Sequence, residues 1–344
     1  MWCEKSIIGI CVKSICLTLL CSLLFVCSKV DAQDIHFSSL SFSPMFNNPA
    51  YTGLMNYKFR VSSIYRNQWS TVSKGYNTFL ASAECQPMFS NRSLSGMGLG
   101  LSFTNDVAGS LSYGEQDIGF ALSYFFALNR KKDSFLSIGV LGKRESWGYN
   151  SVNANFNQSG IYDDNIKYEN LTTYTLSLGA AYQFDRNERS FQLGVAVFNI
   201  NEPSLTYFEN STDESRVNRR YNLNTAYYFN INEKLALRPQ ILINQQYKYN
   251  EFVAGTDLVI HLDDAIFTQQ LLSIGLFCRN GESIIVSPKY KYNSFLVGVS
   301  YDVNISQLAK VSNTYGAMEI WLSYAFDPSF RGKHKNTKIP CPIF

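Results

Sequence analysis

The strongest constraint on this chain is a strict two-residue alternation that recurs in segments of similar length. In Ser95 to Thr104 (S-G-M-G-L-G-L-S-F-T) the side chains of Met97, Leu99, Leu101 and Phe103 share one face of an extended strand, and Gly96, Gly98, Gly100 and Ser102 share the other. One apolar face backed by one small, polar face suits either a sandwich core or a lipid-facing barrel wall. Similar segments run at 57–66, 76–85, 117–126, 135–143, 172–184, 190–198, 220–229, 235–244, 252–260, 271–277, 283–290, 294–301 and 315–326, fourteen candidates in all. Most approach the roughly 9 to 11 residues that a tilted strand needs to cross a bilayer. In the last of them, Met318, Ile320, Leu322, Tyr324 and Phe326 are expected to face lipid, with Ala317, Glu319, Trp321, Ser323 and Ala325 facing inward.

The connections and the aromatics decide between sandwich and barrel. The two longest connections, 144–171 and 199–219, both follow odd-numbered strands, whereas tight turns such as Asp185 to Glu188, Asn230 to Lys234 and Lys291 to Asn293 follow even-numbered ones. A barrel assembled from one side of a membrane sorts its loops this way and a soluble sandwich has no reason to. The short 245–251 connection breaks the sorting, so twelve or sixteen strands remain compatible with the pattern. Tyr124 to Phe126, Tyr227 to Phe229 and Tyr324 to Phe326 stand at strand ends, where a barrel wall meets the headgroups. The expected fold is an all-β outer-membrane barrel of about 14 antiparallel strands.

The two chain ends lie outside this pattern. Residues 1–32 carry Lys5 and Lys13, an apolar run from Ile15 to Val26 and a small-residue stretch ending at Ala32, which reads as a secretory signal cleaved near Ala32. The apolar run is shorter than the roughly 20 residues of a spanning helix, which disfavours a membrane anchor. Bulky Val26 disfavours lipidation at Cys27. Removing the signal leaves only Cys85, Cys278 and Cys341, so neither a disulfide framework nor a zinc site is expected. A formal net charge of +3 argues against nucleic acid as a partner. Residues 33–56, with two prolines and several aromatics but no clean period, are expected to lie extended against the barrel lumen or a periplasmic partner. Residues 57–326 form the barrel, and 327–344 a basic periplasmic tail.

Catalysis and cofactors find little support. His36, His261 and His334 are the only histidines, and each reads as a surface residue rather than a base. The Asp163-Asp164 and Asp263-Asp264 pairs are isolated in loops, and solvated turns explain them as well as a cation does. The candidate docking residues are Asn67, Gln68 and Trp69 after the first strand, Pro49 and Tyr51 in the N-terminal segment, and Lys333, Lys335 and Phe344 in the tail. A large amphipathic aromatic such as Trp69 can anchor an interface or simply belong to the aromatic girdle.

Several longer motifs fit one family as a set. Q-D-I-H-F-S from Gln33, N-N-P-A-Y-T-G at Asn47 to Gly53, Y-R-N-Q-W at Tyr65 to Trp69, G-L-G-L-S-F-T-N-D-V-A-G from Gly98 to Gly109, V-G-V-S-Y-D-V-N-I-S-Q-L from Val297 to Leu308 and the terminal C-P-I-F closely resemble the PorP/SprF family of type IX secretion membrane proteins. The resemblance implies an outer-membrane barrel of Bacteroidota-like bacteria that works in type IX secretion or gliding-adhesin export. It implies as partners other components of the system, including its periplasmic motor complex, or the C-terminal domain of a secreted cargo protein; a barrel adds outer-membrane lipid. The favoured function is a non-enzymatic docking or assembly barrel without a cofactor. The alternatives are a passive porin, which needs a wide, charged, wet lumen, and an outer-membrane enzyme.

Overall fold

The computed structural model describes residues 34–40, 42–70, 75–90, 95–109, 113–129, 133–148, 170–186, 189–205, 215–262, 270–307 and 309–327. The alternating segments become fourteen antiparallel strands. They are β1 (Phe59–Gln68), β2 (Tyr76–Ser90), β3 (Ser95–Ala108), β4 (Tyr113–Ala127), β5 (Ser134–Gly148), β6 (Asn170–Arg186), β7 (Arg189–Phe198), β8 (Arg220–Asn230), β9 (Leu235–Gln246), β10 (Tyr249–His261), β11 (Gln270–Arg279), β12 (Ser283–Tyr292), β13 (Phe295–Asn304) and β14 (Tyr315–Phe326). Each strand pairs with its sequence neighbours, and β14 returns to β1 in a register running from Phe59 opposite Phe326 to Gln68 opposite Ala317, which closes the barrel. Closure leaves no strand edge unpaired in the membrane, where an unmade backbone hydrogen bond is costly.

Alternation sorts the side chains between lipid and lumen. Leu101, Phe103, Ile118, Phe120, Ile138, Leu176, Leu178, Ile274, Leu276, Ile320 and Leu322 are exposed on the outer wall. Glu319, Trp321 and Ser323 of β14 are buried inside, as their alternation requires. Aromatic contacts fall into two bands. At the near rim, where β1 begins and β14 ends, Phe59 stacks on Phe326 at 5.6 Å, Phe295 on Tyr324 at 4.3 Å, and Tyr227 leans on Phe229 at 5.5 Å. The far rim carries Trp69 against Tyr76 at 5.7 Å, Tyr301 against Tyr315 at 5.8 Å and Tyr113 against Trp147 at 6.3 Å. Two such bands are the girdles of a membrane barrel. The middle residues of the aromatic runs turn inward, since Phe125 and Tyr228 are buried.

Three strands extend well past their expected ends at the far rim. β3 continues to Ala108, β4 begins at Tyr113 and β5 runs on to Gly148. The added turns of strand carry Asp106, Glu115 and Glu145, charged residues on the inward face that dilute the apolar signal without breaking the alternation. The two longest connections, 149–169 after β5 and 199–219 after β7, both join strand ends at the far rim.

Candidate functional site

Inside the barrel lies the N-terminal segment, described over residues 34–40 and 42–56, which runs from the far rim at Asp34 to the near rim at Gly53 and joins β1 there. It is compact rather than extended, with one helical turn at Pro44–Asn47 and a 3-10 turn at Pro49–Tyr51. Proline at the start of each turn fixes φ where the missing N–H costs nothing. Asn48 caps the second turn by accepting the Ala50 N–H at 2.9 Å, and its amide donates to wall carbonyls of Ala180 at 3.1 Å and Val195 at 3.0 Å.

The near-rim half of the segment is wedged against backbone. The Thr52 carbonyl accepts the Ser123 hydroxyl at 2.5 Å and the Ala50 carbonyl accepts that of Ser137 at 2.6 Å. Tyr51 donates its hydroxyl to Asn224 at 2.7 Å. The Gly53 N–H donates to Glu84 at 3.0 Å, and Arg60 holds that carboxylate at 2.8 Å. The approach is so close that a Cβ on Gly98 would lie 2.0 Å from the Thr52 carbonyl oxygen, and one on Gly139 would lie 2.4 Å from the Pro49 carbonyl. The small inward face of Ser95 to Thr104 thus leaves room for the segment.

At the far-rim half, ionic groups do the holding. The Glu319 carboxylate accepts two consecutive backbone N–H groups, Ser38 at 2.6 Å and Ser39 at 3.0 Å, together with the Ser300 hydroxyl at 2.7 Å. Arg66 pairs with the same carboxylate. The Ser38 hydroxyl donates to Asp302 at 2.6 Å and accepts from Arg66 at 2.7 Å and Arg279 at 2.9 Å. Arg279 also pairs with Asp302 at 2.9 Å and with Glu251 at 3.0 Å. At the end of the segment, Asp34 is bound by Gln246 at 2.6 Å, Asn199 at 3.1 Å and Arg220 at 3.4 Å. Ile35, Phe37, Phe42 and Phe46 pack with Ile64, Leu80 and Trp321 of the wall beside this network.

His36, expected at the surface, is instead half-buried within the lumen. Burial pushes its imidazole down to about 4, Glu251 opposes that shift, and Arg279 and Arg66 reinforce it. His261 lies at the near-rim end of β10, where its ring shares a 2.9 Å hydrogen bond with the Tyr228 hydroxyl. Glu115, Asp117 and Glu145 bring carboxylate oxygens within 4.8 Å of one another near the far rim. Lys143 sits among them, 2.5 Å from Glu145 and 3.4 Å from Asp117, and supplies positive charge there.

The candidate docking residues do not converge. Asn67 faces outward at the far rim, donating to Asn77 at 2.7 Å and accepting from Tyr315 at 3.1 Å. Gln68 accepts from Arg66 at 3.3 Å on the inner side. Trp69 takes a left-handed φ of 56° and packs edge-on against Tyr76, a girdle position. Pro49 and Tyr51 are buried in the lumen, out of reach of a partner outside the barrel. Lys333, Lys335, Phe344, His334, the Asp163-Asp164 and Asp263-Asp264 pairs and residues 1–32 lie outside the described residues. The network of Arg66, Glu251, Arg279, Asp302 and Glu319 was not singled out from the sequence. Its signal is a charge at an inward position of an otherwise apolar strand, visible at Glu319.

A family model for the type IX secretion system membrane protein PorP/SprF matches residues 29–324. No curated relative matches the sequence. Among solved structures, the chain is similar to the toluene transporter TbuX of Ralstonia pickettii, with 9% identity and a TM-score of 0.47 over 82% of this chain and 93% of that one. It is also similar to BamA of Haemophilus ducreyi lacking POTRA domains 1–3, with 7% identity and a TM-score of 0.40 over 78% of this chain and 70% of that one. Likeness at this level concerns the barrel alone.

Proposed function

Since the chain belongs to the PorP/SprF family and folds as an outer-membrane barrel of type IX secretion, we propose that it acts by docking other proteins rather than by conducting solutes or catalysing a reaction. The observation that carries this reading is the filled lumen. A porin needs a wide wet channel, whereas here residues 34–56 occupy the barrel and reach the wall backbone at Gly98 and Gly139. With the interior occupied, function falls to the rims and the chain ends.

The near rim, where β1 begins and β14 ends, faces the periplasm, and the far rim, where the long 149–169 and 199–219 connections leave the strands, faces the exterior. Residues 1–32 act as the export signal and 327–344 as a periplasmic tail. The partners are other type IX secretion components and the C-terminal domain of a secreted, gliding-adhesin-like cargo, met through Asn67, Gln68 and Trp69 at the exterior and Lys333, Lys335 and Phe344 at the periplasmic face. Affinity capture from detergent-solubilised native outer membrane tests this. Secretion components and a large secreted protein should co-purify, and that yield should fall when Asn67 and Gln68 are replaced or Lys333 to Phe344 removed. Undiminished capture by both variants, or capture of no secretion component, would contradict it.

A further inference from the structure

The far-rim half of the luminal segment is bound the way a peptide ligand is bound. Polar and apolar side chains part to opposite sides: Asp34 meets Gln246 and Arg220, His36 faces the ionic network and Ser38 enters it, whereas Ile35 and Phe37 enter the apolar pocket beside Trp321. One carboxylate, Glu319, straddles two successive backbone N–H groups, a contact that reads main chain rather than sequence. The Ser38 hydroxyl is met by three side chains, Asp302, Arg66 and Arg279, which reads a hydroxyl-bearing residue at one position.

The wall groups do not depend on the segment for all of their partners. Arg279 with Glu251 and Asp302, Arg66 with Glu319, and Ser300 with Glu319 are wall-to-wall contacts that survive its departure. Entering water would hydrate what remains, and a buried ionic network gains little over its hydrated form. No such exchange is open to the near-rim half, whose carbonyls are wedged against wall glycines and hydroxyls.

We infer that the pocket formed by Arg66, Glu251, Arg279, Asp302 and Glu319, with Trp321 beside it, is a peptide-binding site. Residues 34–39 are its built-in occupant, and a non-helical, serine-bearing peptide of another chain takes their place. The inference rests on the docking reading only for where that peptide comes from; binding of a synthetic peptide is measured apart from export, so the two can fail separately.

The probe is a fluorescently labelled synthetic peptide with the sequence of Asp34 to Phe42, followed by anisotropy in detergent micelles. The protein is a variant lacking residues 34–40, its folding checked by heat-modifiable migration. The peptide should bind this variant about tenfold or more tighter than it binds the full chain, and a peptide carrying Ser38→Pro, which lacks one N–H and the hydroxyl, should lose about tenfold or more. If the deletion variant does not fold, the full-length S38P protein replaces it, and its weakened internal occupant should let the unmodified peptide bind about tenfold tighter than to wild type. Equal binding to wild type and to the folded variant, absence of binding to that variant, or indifference to Ser38→Pro in the peptide would overturn the inference.

Discussion

The two halves of the luminal segment meet one continuous wall through opposite chemistry. Around Ser38 and Ser39 the contacts are charged side chains reaching from β1, β11, β13 and β14. Around Asn48 to Gly53 they are mainly backbone carbonyls, hydroxyls and missing β-carbons on β3 to β7. The first kind of contact can be exchanged with water or another peptide; the second requires close fit and fails by steric clash. One end is therefore suited to exchange and the other to anchoring.

Substitutions can break this contrast at either end. The largest effect is expected at the charged end, where Arg279→Ala leaves Glu251 and Asp302 each short of a cation in a buried setting. Losing one partner of a buried pair costs about 3–5 kcal/mol, read as a shift in denaturant unfolding of the detergent-solubilised barrel. At the anchored end, Gly98→Ala or Gly139→Ala places a methyl where Thr52 or Pro49 backbone already lies. Overpacking of this kind costs about 1–3 kcal/mol, and the segment should shift before the wall opens, seen as increased hydrogen exchange at Ala50 to Gly53 with heat-modifiable migration retained. Tyr51→Phe removes one hydrogen bond to Asn224 and is expected to cost about 1 kcal/mol in the same unfolding measurement.

A pH dependence is confined to the charged end. His36 falls from its ordinary 6.5 to about 4 when docked, so the docked segment binds fewer protons than the released one between those values. Docking is accordingly weakened as pH falls from 6.5 towards 4, and this group adds nothing further below that. The groups facing it are Glu251 of β10, Arg279 of β11, Arg66 of β1 and Asp302 of β13. Amide protection of Ser38 and Ser39, corrected for intrinsic exchange, should drop across this window, and His36→Gln should flatten the change while Ala50 to Gly53 stay unaffected in both proteins.

The wall was legible in the sequence because a two-residue period is local and its apolar half repeats. All fourteen strands coincide with alternating segments, and the ends missed on β3, β4 and β5 are those where the inward face carries Asp106, Glu115 or Glu145. The site was far less legible. Glu319 reads as inward from alternation alone, but its partner Ser38 lies 281 positions away, and no local pattern connects them. Pro49 and Tyr51 stood out as unusual residues in an aperiodic segment. Their role in packing against Gly139 and Asn224 follows only once the barrel closes around them. His36 was misplaced for the same reason, because a polar residue in an aperiodic stretch carries no mark of being enclosed.

The account turns on a lumen occupied by its own chain, and single-channel recording in planar bilayers addresses that directly. Purified wild-type protein at neutral pH should insert without steady conductance, while the variant lacking residues 34–40 should show more frequent openings. Steady ion conduction by the wild type, equal to that of the deletion variant, would mean that residues 34–56 do not close the lumen, and the passive porin reading would replace docking.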